Sequence, residues 1–183
     1  MMKLSFFALA AVAFVSTVSL ARAQNVPAAT ASALQVGGAL TVTNSDYAVK
    51  DIKGGSIYAT YDFTQHIGVE LDLRDITFST PDDLGERAYL IGPRYVYRFH
   101  NIFEPYARLT FGLGQTVAQE SYVSREHGVP GTYGAYAFGG GLDILLPHHL
   151  TVRPIDYELQ KWSFPPNGLS PTALSFGLAY RIY

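Results

Sequence analysis

Five arginines (Arg74, Arg94, Arg98, Arg108 and Arg153) and five carboxylates (Glu70, Asp72, Asp143, Asp156 and Glu158) fall where every second residue is large and apolar. On an extended strand, alternate side chains point to opposite faces. Eight of these charges therefore share one side of their strands, Asp156 and Glu158 join them across an irregularity in the seventh strand, and the apolar residues take the other. Charges shut away from water persist only when they are paired and hydrogen-bonded. Guanidinium and carboxylate suit this because they pair in a two-pronged fork. The expected chemistry is a structural network of ion pairs. A narrow ion path lined by the same groups is the functional alternative.

Nucleophilic or metal chemistry finds less support. The histidines are His66, His100, His127, His148 and His149, and four of them fall in segments that read as short turns. His127 lies near Ser124 and Glu126, but a Ser–His–acid set works only when its geometry is held. Three neighbours in one loop do not hold it. His148 and His149 offer two ligands without a third, a weak metal site. There is no Cys, which removes disulfides, thiolate metal sites and a lipidated cysteine anchor. No nucleotide loop or metalloprotease motif occurs. We expect neither an enzyme nor a cofactor or bound metal.

The elements that must position the charges are strands. Period-2 alternation predicts eight of them, over residues 34–43, 54–63, 67–77, 87–99, 103–115, 132–146, 150–161 and 171–183. The breaks at 64–66, 100–102 and 147–149 are short. Those at 44–53, 78–86, 116–131 and 162–170 are longer and richer in Gly, Pro, Ser and charge. Short turns at one end and long loops at the other predict an all-β fold: an eight-stranded antiparallel up-and-down barrel that crosses a membrane. Both termini then lie at the short-turn end.

The faces argue for a membrane rather than water. Val69, Leu71 and Leu73 alternate with Glu70, Asp72 and Arg74. Tyr89, Ile91, Pro93, Tyr95, Tyr97 and Phe99 alternate with Leu90, Gly92, Arg94, Val96 and Arg98. Ala107, Leu109, Phe111 and Leu113 alternate with Tyr106, Arg108, Thr110 and glycines. One face is large and greasy; the other is small or charged, as a crowded interior requires. A closed barrel also satisfies every backbone ladder where lipid offers no hydrogen bonds. Tyrosines near strand ends (Tyr47, Tyr61, Tyr89, Tyr97, Tyr106, Tyr157 and Tyr183) are candidates for interfacial girdles. A soluble, lipocalin-like ligand-binding barrel is the competing fold. It would scatter Arg94, Arg98 and Arg108 among glycines on a solvent face.

The seventh strand breaks the alternation. Thr151 and Arg153 share one side, and unbroken phase would put Asp156 and Glu158 on the lipid side. Pro154 cannot donate to a ladder, so a bulge is expected there. A one-residue slip returns Asp156, Glu158 and Gln160 to the side of Arg153.

Ahead of the strands, Lys3, an apolar run over 4–20 and Ala21-Arg22-Ala23 read as a signal peptide. We expect residues 1–23 to be removed through the Sec pathway, 24–32 to form a short periplasmic segment, and 33–183 to form the barrel. Loss of Lys3 and Arg22 takes the formal charge of the 183-residue chain from −2 to −4. With 15 acidic and 13 basic residues there is no basic footprint for nucleic acid.

Four stretches carry a resemblance: Pro105-Tyr106-Ala107-Arg108 with Phe111-Gly112; Gly139-Gly140-Gly141-Leu142-Asp143; Leu150-Thr151-Val152-Arg153 with Asp156-Tyr157; and Gly177-Leu178-Ala179-Tyr180-Arg181-Ile182-Tyr183. Together they resemble small outer-membrane β-barrel domains of the OmpA/OmpX type over nearly all of the mature chain. The resemblance implies a cell outer membrane of Gram-negative type. It implies outer-membrane lipid as surroundings, and periplasmic chaperones and the barrel-assembly machinery as biogenesis partners. Family members commonly end in an aromatic residue read during assembly. Here the apolar phase runs through Tyr180 and Ile182, so Ile182 or Tyr183 is the candidate signal. Because the strands run to the end of the sequence, we expect no peptidoglycan-binding domain of the kind that longer members carry. The function expected is structural or loop-mediated binding, with Glu120, Tyr122, Arg125 and His127 of the longest loop as candidate contacts for an unknown extracellular ligand. A small pore or a lipid-modifying enzyme is the alternative.

Overall fold

The computed structural model describes residues 33–45, 51–79, 84–99, 102–118, 131–163 and 168–182. The predicted signal peptide, the 24–32 segment, His100, Tyr47, the loop residues Glu120, Tyr122, Arg125 and His127, and Tyr183 lie outside them.

Eight strands follow one another: β1 (Ala33–Asn44), β2 (Ile52–Asp62), β3 (Ile67–Ser79), β4 (Leu84–Val96), β5 (Phe103–Ala118), β6 (Thr132–Leu145), β7 (Leu150–Trp162) and β8 (Thr172–Ile182). Each pairs antiparallel with the next, and β1 closes on β8, with Leu34 opposite Ile182 and Asn44 opposite Thr172. Closure leaves no sheet edge. The ends of β1 and β8 thus meet at the short-turn end, as an even strand count requires.

The predicted faces hold around the wall. Leu71, Ile91, Leu109, Phe111, Phe138, Tyr157, Phe176 and Leu178 are exposed outward, whereas Glu70, Asp72, Arg94, Arg108, Thr110 and Ala137 are buried inside. No helix among the described residues is long and apolar enough to cross a membrane, and this barrel crosses with strands.

The slip in β7 is present. Arg153 stands opposite Gly177 and Asp156 opposite Ser175, so three steps on β7 match two on β8. The ladder to β6 shifts in the same place, between Leu142 and Ile144. One extra residue on β7 relative to both neighbours is a β-bulge. It turns Ile155 outward and brings Asp156, Glu158 and Gln160 inside with Arg153.

Four expectations need correction. The 78–86 segment is not a long loop: Ser79 still pairs with Lys53 of β2, and Leu84 with Ala118 of β5, so each strand runs on against its outer neighbour. Next, the regular β4 ends at Val96 instead of Phe99: Pro105, opposite Tyr97, has no N–H to return, and pairing to β5 persists only through the Tyr97 and Phe99 amides and the isolated Phe99–Phe103 bridge. Trp162 is not a loop residue; it is the last residue of β7 and is buried. Finally, Tyr106 belongs to no outer girdle. It shares the phase of Arg108 and lies inside, whereas Tyr89, Tyr97 and Tyr157 do face outward.

The turn between β6 and β7 closes with the Leu146 amide donating to the Leu150 carbonyl, at 2.8 Å. His148 and His149 both take left-handed backbone there, with φ of 61° and 64°. Positive φ at successive residues suits the twist of paired strands, although Asn-Gly is the usual choice.

Candidate functional site: the charged interior of the barrel

Strand pleating and the β7 bulge bring charges from five strands into one volume. Glu70, Asp72 and Arg74 come from β3, Arg94 from β4, Arg108 from β5, Asp143 from β6, and Arg153, Asp156 and Glu158 from β7. All nine are buried.

Glu70 sits at the centre, with 0% of its surface exposed. Arg153 donates to it through Nη1 at 3.1 Å and Nη2 at 3.2 Å. Arg108 also donates to it, and Arg94 lies 3.7 Å away. The other carboxylates tie these guanidiniums together. Asp143 accepts from Arg94 at 2.6 Å and from Arg153 Nε at 2.9 Å. Asp156 lies 2.9 Å from Arg108 and 3.2 Å from Arg153. Glu158 accepts from Arg108 at 2.7 Å and from Arg74 at 2.9 Å, and Arg74 reaches Asp72 at 2.8 Å. Each arginine bridges two or more strands, so the network crosslinks the wall from within.

Two inward tyrosines complete it. The Arg153 guanidinium lies between rings, 3.9 Å from the centre of Tyr58 and 4.6 Å from that of Tyr106. Arg94 covers Tyr106 at 4.2 Å. Such cation–π contacts strengthen when water is absent.

Arg98 is the one predicted network member placed elsewhere. It is 27% exposed at the short-turn end, donating to Asp62 and Glu104 at 2.7 Å each and to the Gln65 carbonyl at 2.5 Å. Tyr97 and Phe99 still donate to the Pro105 and Phe103 carbonyls, so Arg98 keeps the inward phase, but it is the last inward residue before the turn and belongs to the rim and not to the central cluster.

Towards the long-loop end the charges give way to an apolar layer of Ala88, Leu90, Ala135, Ala137 and Trp162. A relay joins the two layers: Trp162 Nε1 donates to Gln160 at 2.6 Å, and Gln160 Nε2 donates to Glu158 at 2.7 Å. Ser45 donates to Glu86 in the same half of the barrel.

Sequence reasoning placed Gln160 inside but missed Tyr58, Asp62, Glu86, Glu104 and Trp162 as parts of this interior. Phase was the available signal. Glu104 and Tyr106 share the phase of Arg108, Asp62 that of Thr60 and Tyr58, and Trp162 that of Gln160. Among the described residues no cluster of His, Asp and Glu could hold a metal ion. Ile182 faces outward.

An apolar outer wall around a charged interior inverts the pattern of a water-soluble barrel and defines an integral membrane β-barrel. The sequence matches the family described as outer membrane protein beta-barrel domain over residues 7–181, and the chain belongs to that family. It resides in the outer membrane. No curated protein sequence matches the chain. Solved structures show the same fold. Neisserial surface protein A is 14% identical, with a TM-score of 0.60 over 82% of this chain and 97% of that one. OprG from Pseudomonas aeruginosa is 15% identical, with a TM-score of 0.56 over 87% and 100%. Ail of Yersinia pestis, crystallised with the heparin analogue sucrose octasulfate, is 18% identical, with a TM-score of 0.52 over 82% and 97%.

Proposed function

We propose that this outer-membrane barrel is a non-catalytic scaffold, closed by its charge-paired interior, that presents its long connections for binding. The observation that supports a closed lumen is the burial of Glu70 among Arg94, Arg108 and Arg153. Eight strands enclose a bore only wide enough for side chains, and here those side chains grip one another. A rigid barrel is a suitable base for binding loops. In the 119–131 connection, Glu120, Tyr122, Arg125 and His127 are the residues we propose for contact with an extracellular ligand. Ail supplies a precedent for binding a sulfated sugar on such a barrel, as a property of Ail.

Planar-bilayer recording tests the closed lumen. Purified barrel is expected to give no steady single-channel openings. Steady openings would support the second reading, a narrow ion path. That reading draws on buried interior oxygens that accept no protein hydrogen bond, including Asp72 Oδ1 and Asp156 Oδ1. For the non-catalytic role, lipid A profiles with and without expression are expected to coincide. Export through the Sec pathway with cleavage after Ala23 is part of the proposal, and N-terminal sequencing of the membrane-inserted form should begin at Gln24. So is recognition of Ile182 or Tyr183 by the barrel-assembly machinery.

A further inference from the structure

The charges of the central cluster are unequal. Glu70, Asp72, Asp143, Asp156 and Glu158 are five acids, and Arg74, Arg94, Arg108 and Arg153 are four bases, all of them buried. No other cation among the described residues supplies the missing charge. Lys53, Arg87 and Lys161 stand on the outer face. Arg98 serves two carboxylates of its own at the rim, Asp62 and Glu104. Arg181, on β8, forms no ion pair with the cluster, and its Nε has no hydrogen-bond partner among the described residues. An enclosed carboxylate without a counter-charge is costly, and such a group takes up a proton instead.

The deficit falls on Asp72. Glu70 is met by three arginines. Asp143, Asp156 and Glu158 are met by two each. Asp72 has one in hydrogen-bond reach, Arg74 Nη2 at 2.8 Å from Oδ2, and that guanidinium is shared with Glu158. Arg108 stops at 3.8 Å. Asp72 Oδ1 is buried and accepts no hydrogen bond among the described residues.

The surroundings compensate little. Across the two ladders Asp72 stands opposite Tyr58 on β2 and Leu90 on β4, neither of them a cation. Leu90 belongs to the apolar layer, so Asp72 marks the boundary where the charged cluster ends. The charged and titratable groups that face it are Tyr58 from β2, Glu70 and Arg74 from its own strand, Arg108 from β5 and Glu158 from β7. Two of the five are themselves acids.

We propose that Asp72 is a proton-binding site of the barrel interior. Oδ1 carries a hydrogen at neutral pH, Oδ2 keeps its bond from Arg74, and the cluster becomes four charges against four. The site deepens the closed-lumen reading and rests on the enclosure of the cluster. Its test reads a carboxyl group, whereas channel recording reads the lumen, so either can fail alone. Folding is then linked to pH. The unfolded chain releases this proton above about pH 4, the ordinary range of aspartate. The folded barrel retains it, so stability falls as pH rises from there.

Infrared spectroscopy of the full barrel in phosphatidylcholine vesicles at neutral pH tests the site. The unaltered protein is expected to show the carbonyl stretch of a protonated carboxyl group. Asp72→Asn, a neutral side chain of the same shape, should lose that band and keep the gel shift on boiling. Denaturant unfolding in micelles gives a second readout. Relative to Asp72→Asn, the folding constant of the unaltered barrel should fall by up to about tenfold for each pH unit between about pH 5 and pH 8. Absence of a protonated-carboxyl band from the unaltered protein overturns the proposal, whether or not the variant folds. So does a band that survives unchanged in Asp72→Asn, because another carboxyl then holds the proton. Equal pH dependence of the two proteins does the same. Loss of stability when sodium is exchanged for choline, with no such band, overturns it in favour of a bound alkali cation.

Discussion

Arg153 and Glu70 meet in a two-pronged pair, Nη1 to Oε1 at 3.1 Å and Nη2 to Oε2 at 3.2 Å, although 83 residues separate them in the chain. The pair spans the interior from β7 to β3 and is fully enclosed. Its partners give it consequence. Removing Glu70 would strip one carboxylate from three guanidiniums at once.

Glu70→Gln should therefore be among the most damaging single changes. Leaving a buried charge without its partner costs about 3–5 kcal/mol. Arg87→Gln, whose pair with Asp75 on the outer wall is 40% and 45% exposed, should cost at most about 1 kcal/mol, because an exposed pair contributes little. Denaturant unfolding of both variants in detergent micelles, followed by the gel mobility shift, measures the difference. Equal losses would mean that the central cluster is not specially enclosed.

Tyr106 separates ring from hydroxyl. Its ring touches Arg94 and Arg153, while its hydroxyl has no hydrogen-bond partner among the described residues. Tyr106→Phe should leave stability unchanged or slightly raised, since an unsatisfied buried hydroxyl is removed. Tyr106→Leu should lower it by about 2 kcal/mol, the worth of desolvated cation–π contact. The unfolding midpoints of the pair decide.

The bulge on β7 can be probed by length. Deleting Pro154 removes the extra residue and leaves Arg153, Asp156 and Glu158 on one face of a regular ladder. Deleting Pro154 and Ile155 together puts Asp156 directly after Arg153 and turns Asp156 and Glu158 towards acyl chains, where carboxylates are costly. The single deletion should yield a heat-modifiable barrel and the double deletion should not. A folded double-deletion variant would show that the strand slips elsewhere to recover its phase.

Trp162 is the sole tryptophan, buried at the end of β7 with its ring over Gly114. A Cβ at Gly114 would come within 2.5 Å of that ring. The unaltered barrel should show blue-shifted emission that acrylamide quenches poorly. Gly114→Val should push the indole out, shift the emission to the red and raise quenching. Unchanged emission would place the indole elsewhere.

The strand count, the closed topology and the membrane face were legible in the chain because a period of two is a local property. Val69 to Arg74 shows both faces within six residues, and Pro154 marks the bulge by lacking a donor. The same rule gives side but not depth. Arg98 keeps the inward phase of Arg94, with Tyr97 and Phe99 still bonded to β5, but it stands at the rim with Asp62 and Glu104. The rule failed at 78–86, where Pro and charge suggested a loop and pairing to the outer neighbours extended both strands.

Sequence by itself thus determined which side of the wall each side chain occupies. Only the tertiary structure decided which charges meet, that Arg153 lies between Tyr58 and Tyr106, and that Asp72 is left with one arginine in hydrogen-bond reach. Phase is set between adjacent residues on one strand. Partnership depends on the stagger of eight strands around a closed circle, and no single segment carries that information.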